Sequence, residues 1–234
     1  SQQLRHINPK EPRPAGCGVL HSVPRHHQVL YDETGTCLIP EPLVICEPVW
    51  AYVDMTELIQ AWDGGTLVPT DKITAHREGR RHRAVSVFVF QGTEILLQRR
   101  AMGKYHTPGL WANTCCTHPN WGEDPSDCAV RRLKEELGIT GLYPEYRHQL
   151  EYRADVGGGM VEHEVVDVFL AHARKGLKVT PNPDEVMETR WTGYHDLLAE
   201  VARHPERFTP WLKIYLESHA NQIFGPDLIM ASHL

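Results

Sequence analysis

Long apolar runs are missing from this 234-residue chain: no stretch approaches the roughly 18 consecutive apolar residues that a membrane-spanning helix needs. The basic, apolar and small-residue order of a secretory signal is also missing at the N-terminus, so the expected compartment is the cytoplasm, with no membrane partner. Positive charge is not in excess, since 24 Lys and Arg stand against 30 Asp and Glu for a formal net charge of -6. That balance excludes a general attraction to nucleic acid or anionic surfaces and leaves each basic cluster to be explained by a local partner. Cysteine is sparse, with six in the chain and two of them adjacent. Such spacing excludes the disulfide framework of a small secreted domain and reads as reduced thiols. Neither an internal repeat nor a zinc-finger spacing is present, despite 15 His. What remains is a chain with 41% hydrophobic residues, enough for one large enzyme-like domain with a proper core.

Organisation changes near Met55. Residues 1 to 54 have scattered Pro and Gly and no sustained period, so they are expected to form an extension of weak independent structure, with at most a short strand at Leu43-Val44-Ile45. Residues 55 to 234 form the expected domain. Leu58 to Trp62 and Thr66 to Val68 flank an Asp63-Gly64-Gly65 turn, and Ala84 to Phe90 and Glu94 to Arg100 flank Gln91-Gly92-Thr93, so two hairpins are predicted. Asp124 as N-cap, Pro125 at the first helical position and Gly138 as stop predict a helix over 125 to 137, with an apolar stripe of Ala129, Val130, Leu133 and Leu137. Arg132 and Glu136, four apart, share a second face. Further strands are predicted at 151 to 154, 161 to 171 and 188 to 192, and helices at 195 to 202 and 210 to 222. Strands and helices mix without regular alternation, which predicts an α+β fold, an α-β-α sandwich on a mixed sheet.

Chemistry concentrates in a few places. Glu162 and Glu164 are two apart on a strand and share a face that continues through Val166, Val168 and Leu170. Such a pair also fits an exposed edge strand; if buried, it requires a cation or a shared proton. His76, His82 and His118 are dispersed, and with two Glu they would suit an octahedral centre rather than a closed structural site. Cys115 and Cys116 are either two small buried hydrophobes or one buried thiol beside one reactive thiol, in a polar loop with Thr114, Thr117 and His118. The helix around Glu123 to Glu136 nearly spells the Nudix box but departs from it twice. Thr117 takes the place of the leading Gly, and Arg132 replaces the first Glu of the acidic triplet, which turns a metal ligand into a phosphate ligand.

These segments, together with Lys72 to His76, His82 to Phe88, Gln98 to Ala101, Asn113 to Pro119, Glu162-His163-Glu164 and Thr209-Pro210-Trp211, make the chain resemble the type 1 isopentenyl diphosphate isomerases, a Nudix-fold family, over about residues 57 to 225. The resemblance implies a Nudix-like sandwich and the isomerisation of isopentenyl to dimethylallyl diphosphate through a tertiary carbocation. It implies that His76, His82, His118, Glu162 and Glu164 ligate one divalent metal (Mn, Mg or Zn), and that Glu136 helps hold a Mg²⁺ on the substrate diphosphate. Cys116 would be the catalytic thiol, with Glu164 and Tyr152 on the opposite flank. Lys72, Arg100, Lys104 and Arg132 would bind phosphate oxygens. Trp211 is the candidate neighbour of the cation, against an ordinary core tryptophan. The expected partner is a small isoprenoid diphosphate and the expected state a monomer. The competing readings are a Nudix pyrophosphohydrolase, against which Arg132 argues, and a non-catalytic metal or thiol redox module.

Overall fold

The run from Ala84 to Phe90 is apolar on both faces, so the strand it forms must be covered from both sides. The structure, a computed structural model, describes residues 58–230; the extension expected for residues 1 to 54, with its short strand at Leu43 to Ile45, lies outside the described residues. Among the described residues the strands are β1 (Leu58–Asp63), β2 (Thr66–Asp71), β3 (Arg81–Gln91), β4 (Glu94–Arg100), β5 (Trp111–Ala112), β6 (Cys115–Thr117), β7 (Glu145–Gly157), β8 (Met160–His172) and β9 (Val186–Gly193). They join in one sheet. Pairing is antiparallel except between β3 and β8, which run parallel, so the sheet is mixed as the pattern predicts.

Helices cover both faces. Val85, Val87, Val89, Phe169 and Ala171 pack against Ala129, Leu133 and Leu137 of α2 (Pro125–Leu137). Phe88, Phe90, Val166 and Val168 pack on the other side against residues of α3 (Tyr194–Arg203), α4 (Pro210–Ser218) and α5 (Ala220–Met230). The result is the expected α-β-α sandwich. The caps of α2 are those read from the sequence: the Asp124 side chain accepts from Ser126 N, and Gly138 ends the helix at φ 64°, a left-handed conformation that favours glycine. Among the described residues no helix is long and apolar enough to cross a membrane.

Four local expectations are corrected. A short helix, α1 (Lys72–Glu78), stands where none was predicted, held by Asp71 accepting from Thr74 N and by Gly79 at φ 61°. The strand predicted from 151 begins at Glu145, because its polar alternation belongs to an edge strand bound on one side only. The last helix, predicted as one piece to 222, breaks at His219 into α4 and α5. Val130 is exposed rather than part of the apolar stripe, and Cys128 is buried in its stead.

Candidate active site

Strand register assembles the site. β3 pairs with β8 at His82↔Glu164 and with β6 at Ser86↔Cys116, while β7 pairs with β8 at Tyr152↔Glu164. His82, Ser86, Glu162 and Glu164 therefore lie on one face, and β6 and β8 flank β3 on opposite sides. Cys116 and Glu164 approach the same space from opposite flanks. That space is a cavity of about 420 Å³, and its wall includes Cys116, His118, Tyr152, Glu162, Glu164 and Trp211. The alternation along β6 also separates the two thiols: Cys115 is buried under α2, and Cys116 faces the cavity.

Four imidazoles and two carboxylates meet at its floor. His118 Nε2 lies 3.0 Å and His82 Nε2 3.6 Å from Glu164 Oε1, and His106 Nε2 lies 3.4 Å from Glu162 Oε1. The Tyr152 hydroxyl is 2.7 Å from Oε2 of both Glu162 and Glu164. One hydroxyl hydrogen cannot close two such contacts, so a carboxyl group carries a second proton. Burial and the charge of Glu164 push Glu162 well above the usual carboxylate range, which makes it the proton's holder. Burial also works against ionisation of Glu164, but the His118 and His82 rings more than offset it and hold this carboxyl low. Burial lowers His76 to about 4, with the His82 ring adding to the effect, and lowers His118 to about 3. These rings are thus neutral donors with free lone pairs, the state a metal ligand needs. Nδ1 of His76 and of His82 each lies 2.7 Å from a backbone carbonyl, Lys72 O and Arg80 O, which turns Nε2 of both rings inward. The ligand atoms of His76, His82, His118 and Glu164 all lie within 4.8 Å of one another, and His82 Nε2 is buried with no hydrogen-bond partner. The donor set fits a divalent cation.

The thiol is fixed by its own network. Asn113 Nδ2 donates to the carbonyls of Val87 and Cys115, which fixes the amide so that its Oδ1 accepts from Cys116 Sγ at 2.9 Å. Ser86 Oγ stands 3.2 Å from the same sulfur. Burial pushes the Cys116 thiol up, so the sulfur holds its proton.

The other end of the cavity is cationic. Lys72, Arg100, Lys104, Arg131 and Arg132 line it, among the acidic residues Glu135 and Glu185. Glu185 pairs with Lys104 and, at 3.2 Å, with Arg132. Arg132 also donates to Glu136 at 2.6 Å and to Glu135 at 3.0 Å. All four residues expected to bind phosphate are thus brought to one wall, and Trp211 lies at its border with the Arg100 guanidinium 5.2 Å from the ring. Three expected site residues, Glu136, His76 and His82, are not brought onto the wall. Glu136 is buried behind, with Oε1 accepting from Arg132 and Oε2 from Gln98. His76 and His82 also stand behind the wall, buried.

Residues 80–212 match the NUDIX domain family. An isopentenyl-diphosphate Delta-isomerase of Ruegeria pomeroyi is 73% identical over 175 residues, 75% of this chain and 97% of the relative. The chain belongs to this isomerase family of NUDIX-domain proteins. A second relative of the same name, from Cereibacter sphaeroides, is 63% identical over 73% of this chain and 97% of its own length. Among solved structures, a MutT NUDIX hydrolase from Burkholderia pseudomallei is 25% identical over 59% of this chain and 98% of its own, with a TM-score of 0.47.

Sequence reasoning missed several residues of this isomerase-family site. Ser86 and Asn113 lay inside motifs but carried no role until the register placed them at the sulfur. Glu185 gave only an acidic residue in a Pro-rich turn, and the signal that finds it is its position before β9, beside Lys104. His106 sits in an irregular loop without periodicity, two residues after Lys104. Burial, reinforced by the Arg100 charge, lowers its ring to about 2.

Proposed function

We propose that this chain isomerises isopentenyl diphosphate to dimethylallyl diphosphate by adding a proton at C4 and removing one from C2, with a tertiary cation at C3 between the two events. The observation that carries this reading is that Cys116 and the Tyr152–Glu162–Glu164 group line one cavity from opposite flanks of β3. One proton enters and one leaves, so the reaction is redox-neutral and reversible. Each carrier is an acid in one direction and a base in the other, which suits a protonated thiol facing a carboxylate pair that shares a proton through a tyrosine.

The diphosphate sits at the cationic end, where Lys72, Arg100, Lys104 and Arg132 meet its oxygens, and its bonds to Lys104 and Arg132 replace theirs to Glu185. His76, His82, His118, Glu162 and Glu164 would hold one divalent ion, whose charge would favour the ionised form of Glu164. Three imidazoles with two carboxylates suit Mn²⁺, Mg²⁺ or Zn²⁺. A Mg²⁺ accompanies the diphosphate, and Glu136 helps hold it through the lone pairs left over by Arg132 and Gln98. A carbocation exposed to water would be captured as an alcohol, so the hydrocarbon end has to be dry. Trp211, 1% exposed, supplies an aromatic face there, worth about 2 kcal/mol to a desolvated cation. The carboxylates and thiol supply the rest of the stabilisation.

The scheme calls on no residue of a second copy and is compatible with a monomer. The free thiols of Cys115, Cys116 and Cys128 suit a reducing cytoplasm, and the net charge of -6 suits a small-molecule partner rather than nucleic acid. Cys116→Ser tests the proton role: the variant folds, binds the diphosphate and loses isomerase turnover by roughly a hundredfold or more. Turnover near the wild-type rate in this variant would refute the assignment.

A further inference from the structure

His106 is an imidazole of the cavity with no role in the scheme above. Its side chain is 3% exposed and its Nε2 has no hydrogen-bond partner, yet that atom faces Glu162 Oε1 at 3.4 Å. A buried polar atom left without a partner is destabilising, and a bound ion removes that cost. The separation is informative. Two donor atoms, each about 2.1 Å from a shared ion and 3.4 Å from one another, subtend roughly 108°, close to the tetrahedral angle. The third donor is His76: the ligand atoms of His76, His106 and Glu162 all lie within 4.8 Å of one another, and the His76 and His106 rings stack at 5.4 Å between centroids. His76 also belongs to the group with His82, His118 and Glu164. Its Nδ1 is engaged by Lys72 O, so Nε2, approached at 3.5 Å by the Tyr105 hydroxyl, is the nitrogen left for an ion and serves one at a time.

We propose that His76, His106 and Glu162 form a second cation position beside the first, selective for a divalent ion that accepts four-coordinate nitrogen and oxygen donors, as Zn²⁺ does. The two positions compete for His76 and for Glu162. Both positions reach the cavity, the first through His118 and Glu164 and the second through His106 and Glu162, so the fourth coordination place of the second position opens toward substrate. Three protein donors and one open place form the arrangement that late first-row ions favour, whereas the first position, with more donors, suits octahedral ions. The inference rests on the metal-dependent reading of the site and adds a ligand to it.

The test uses chelator-treated full-length protein titrated with Co²⁺, whose visible bands are intense when four-coordinate and weak when six-coordinate. Wild-type protein is expected to develop the intense bands, and His106→Ala and His106→Gln to lose them while keeping the weak spectrum of the first position. Wild-type spectra that stay weak at every cobalt level, or variants that reproduce the intense bands, overturn the proposal. If neither variant folds, the anomalous-scattering map of cobalt-soaked wild-type crystals decides: a peak within about 2.2 Å of His106 Nε2 supports the position, and cobalt found only away from that atom refutes it. Isopentenyl diphosphate turnover by the same wild-type preparation separates the two failures. Turnover with weak bands sinks this inference alone; absence of both turnover and cobalt binding sinks the reading beneath it.

Discussion

On β3 the odd-numbered residues Val85, Val87 and Val89 lie under α2, whereas even-numbered His82 and Ser86 open on the cavity side before Phe88 and Phe90 resume the core under α4 and α5. β8 repeats the division, with Phe169 and Ala171 on one face and Glu162 and Glu164 on the other. The α2 side is packed mainly with apolar groups and holds the buried Gln98–Glu136 hydrogen bond. The cavity side interrupts its core with ionisable groups, and His82 Nε2, Arg100 Nε, His106 Nε2 and Trp211 Nε1 are buried there with no hydrogen-bond partner. One pair of strands thus supports both a stable face and a reactive one, and the clusters of buried imidazoles and carboxylates lie on the reactive face.

Substitutions on the two faces should separate activity from stability. Glu164→Gln removes a proton carrier, so turnover is expected to fall roughly a hundred- to ten-thousandfold while the thermal unfolding midpoint moves little. Steady-state kinetics with a melt on the same sample check this, and wild-type turnover in the variant would dissolve the distinction. Leu133→Ala on α2 is expected to do the reverse, costing about 2–5 kcal/mol in urea unfolding with the turnover of folded enzyme intact. Loss of turnover without loss of stability would show that the α2 face also shapes the site.

A smaller effect sharpens the comparison by pH. Burial holds His76, His106 and His118 at about 4, 2 and 3, all below the ordinary 6.5. The unfolded chain therefore takes up protons first as the pH falls. The folded state of chelator-treated protein has this stability in full above about pH 6.5 and loses it progressively toward those lower values. By pH 6 the expected loss is about 1 kcal/mol per imidazole, read as a lower urea midpoint than at pH 8. An unchanged midpoint would mean that the rings are not buried as neutral donors.

Legibility in the sequence followed the same division. β3, β4 and α2 announce themselves through β-branched alternation, an Asn/Asp-type cap, proline at the start and glycine at the stop, all local signals. Glu162 and Glu164 were readable as a same-face pair because strand period alone places them. α1 was not readable: seven residues with Ile73 and Ala75 as its only apolar members carry no period, and its caps, Asp71 and Gly79, become visible only once the fold turns there. His106 and Glu185 lie in loops, and their importance arises from which strands the loops join. The position of Glu136 behind Arg132 depends on the rotation of α2 against β4, a tertiary fact that no spacing along the chain encodes.

The central claim is that a thiol on one flank and a tyrosine-linked carboxylate pair on the other exchange protons with an isoprenoid alkene. Incubation of the full chain with isopentenyl diphosphate, Mg²⁺ and D₂O, followed by NMR, tests it most directly. The account predicts dimethylallyl diphosphate carrying solvent deuterium in the methyl group derived from C4, with exchange at C2. Phosphate release without that product, or product free of solvent deuterium, would contradict it.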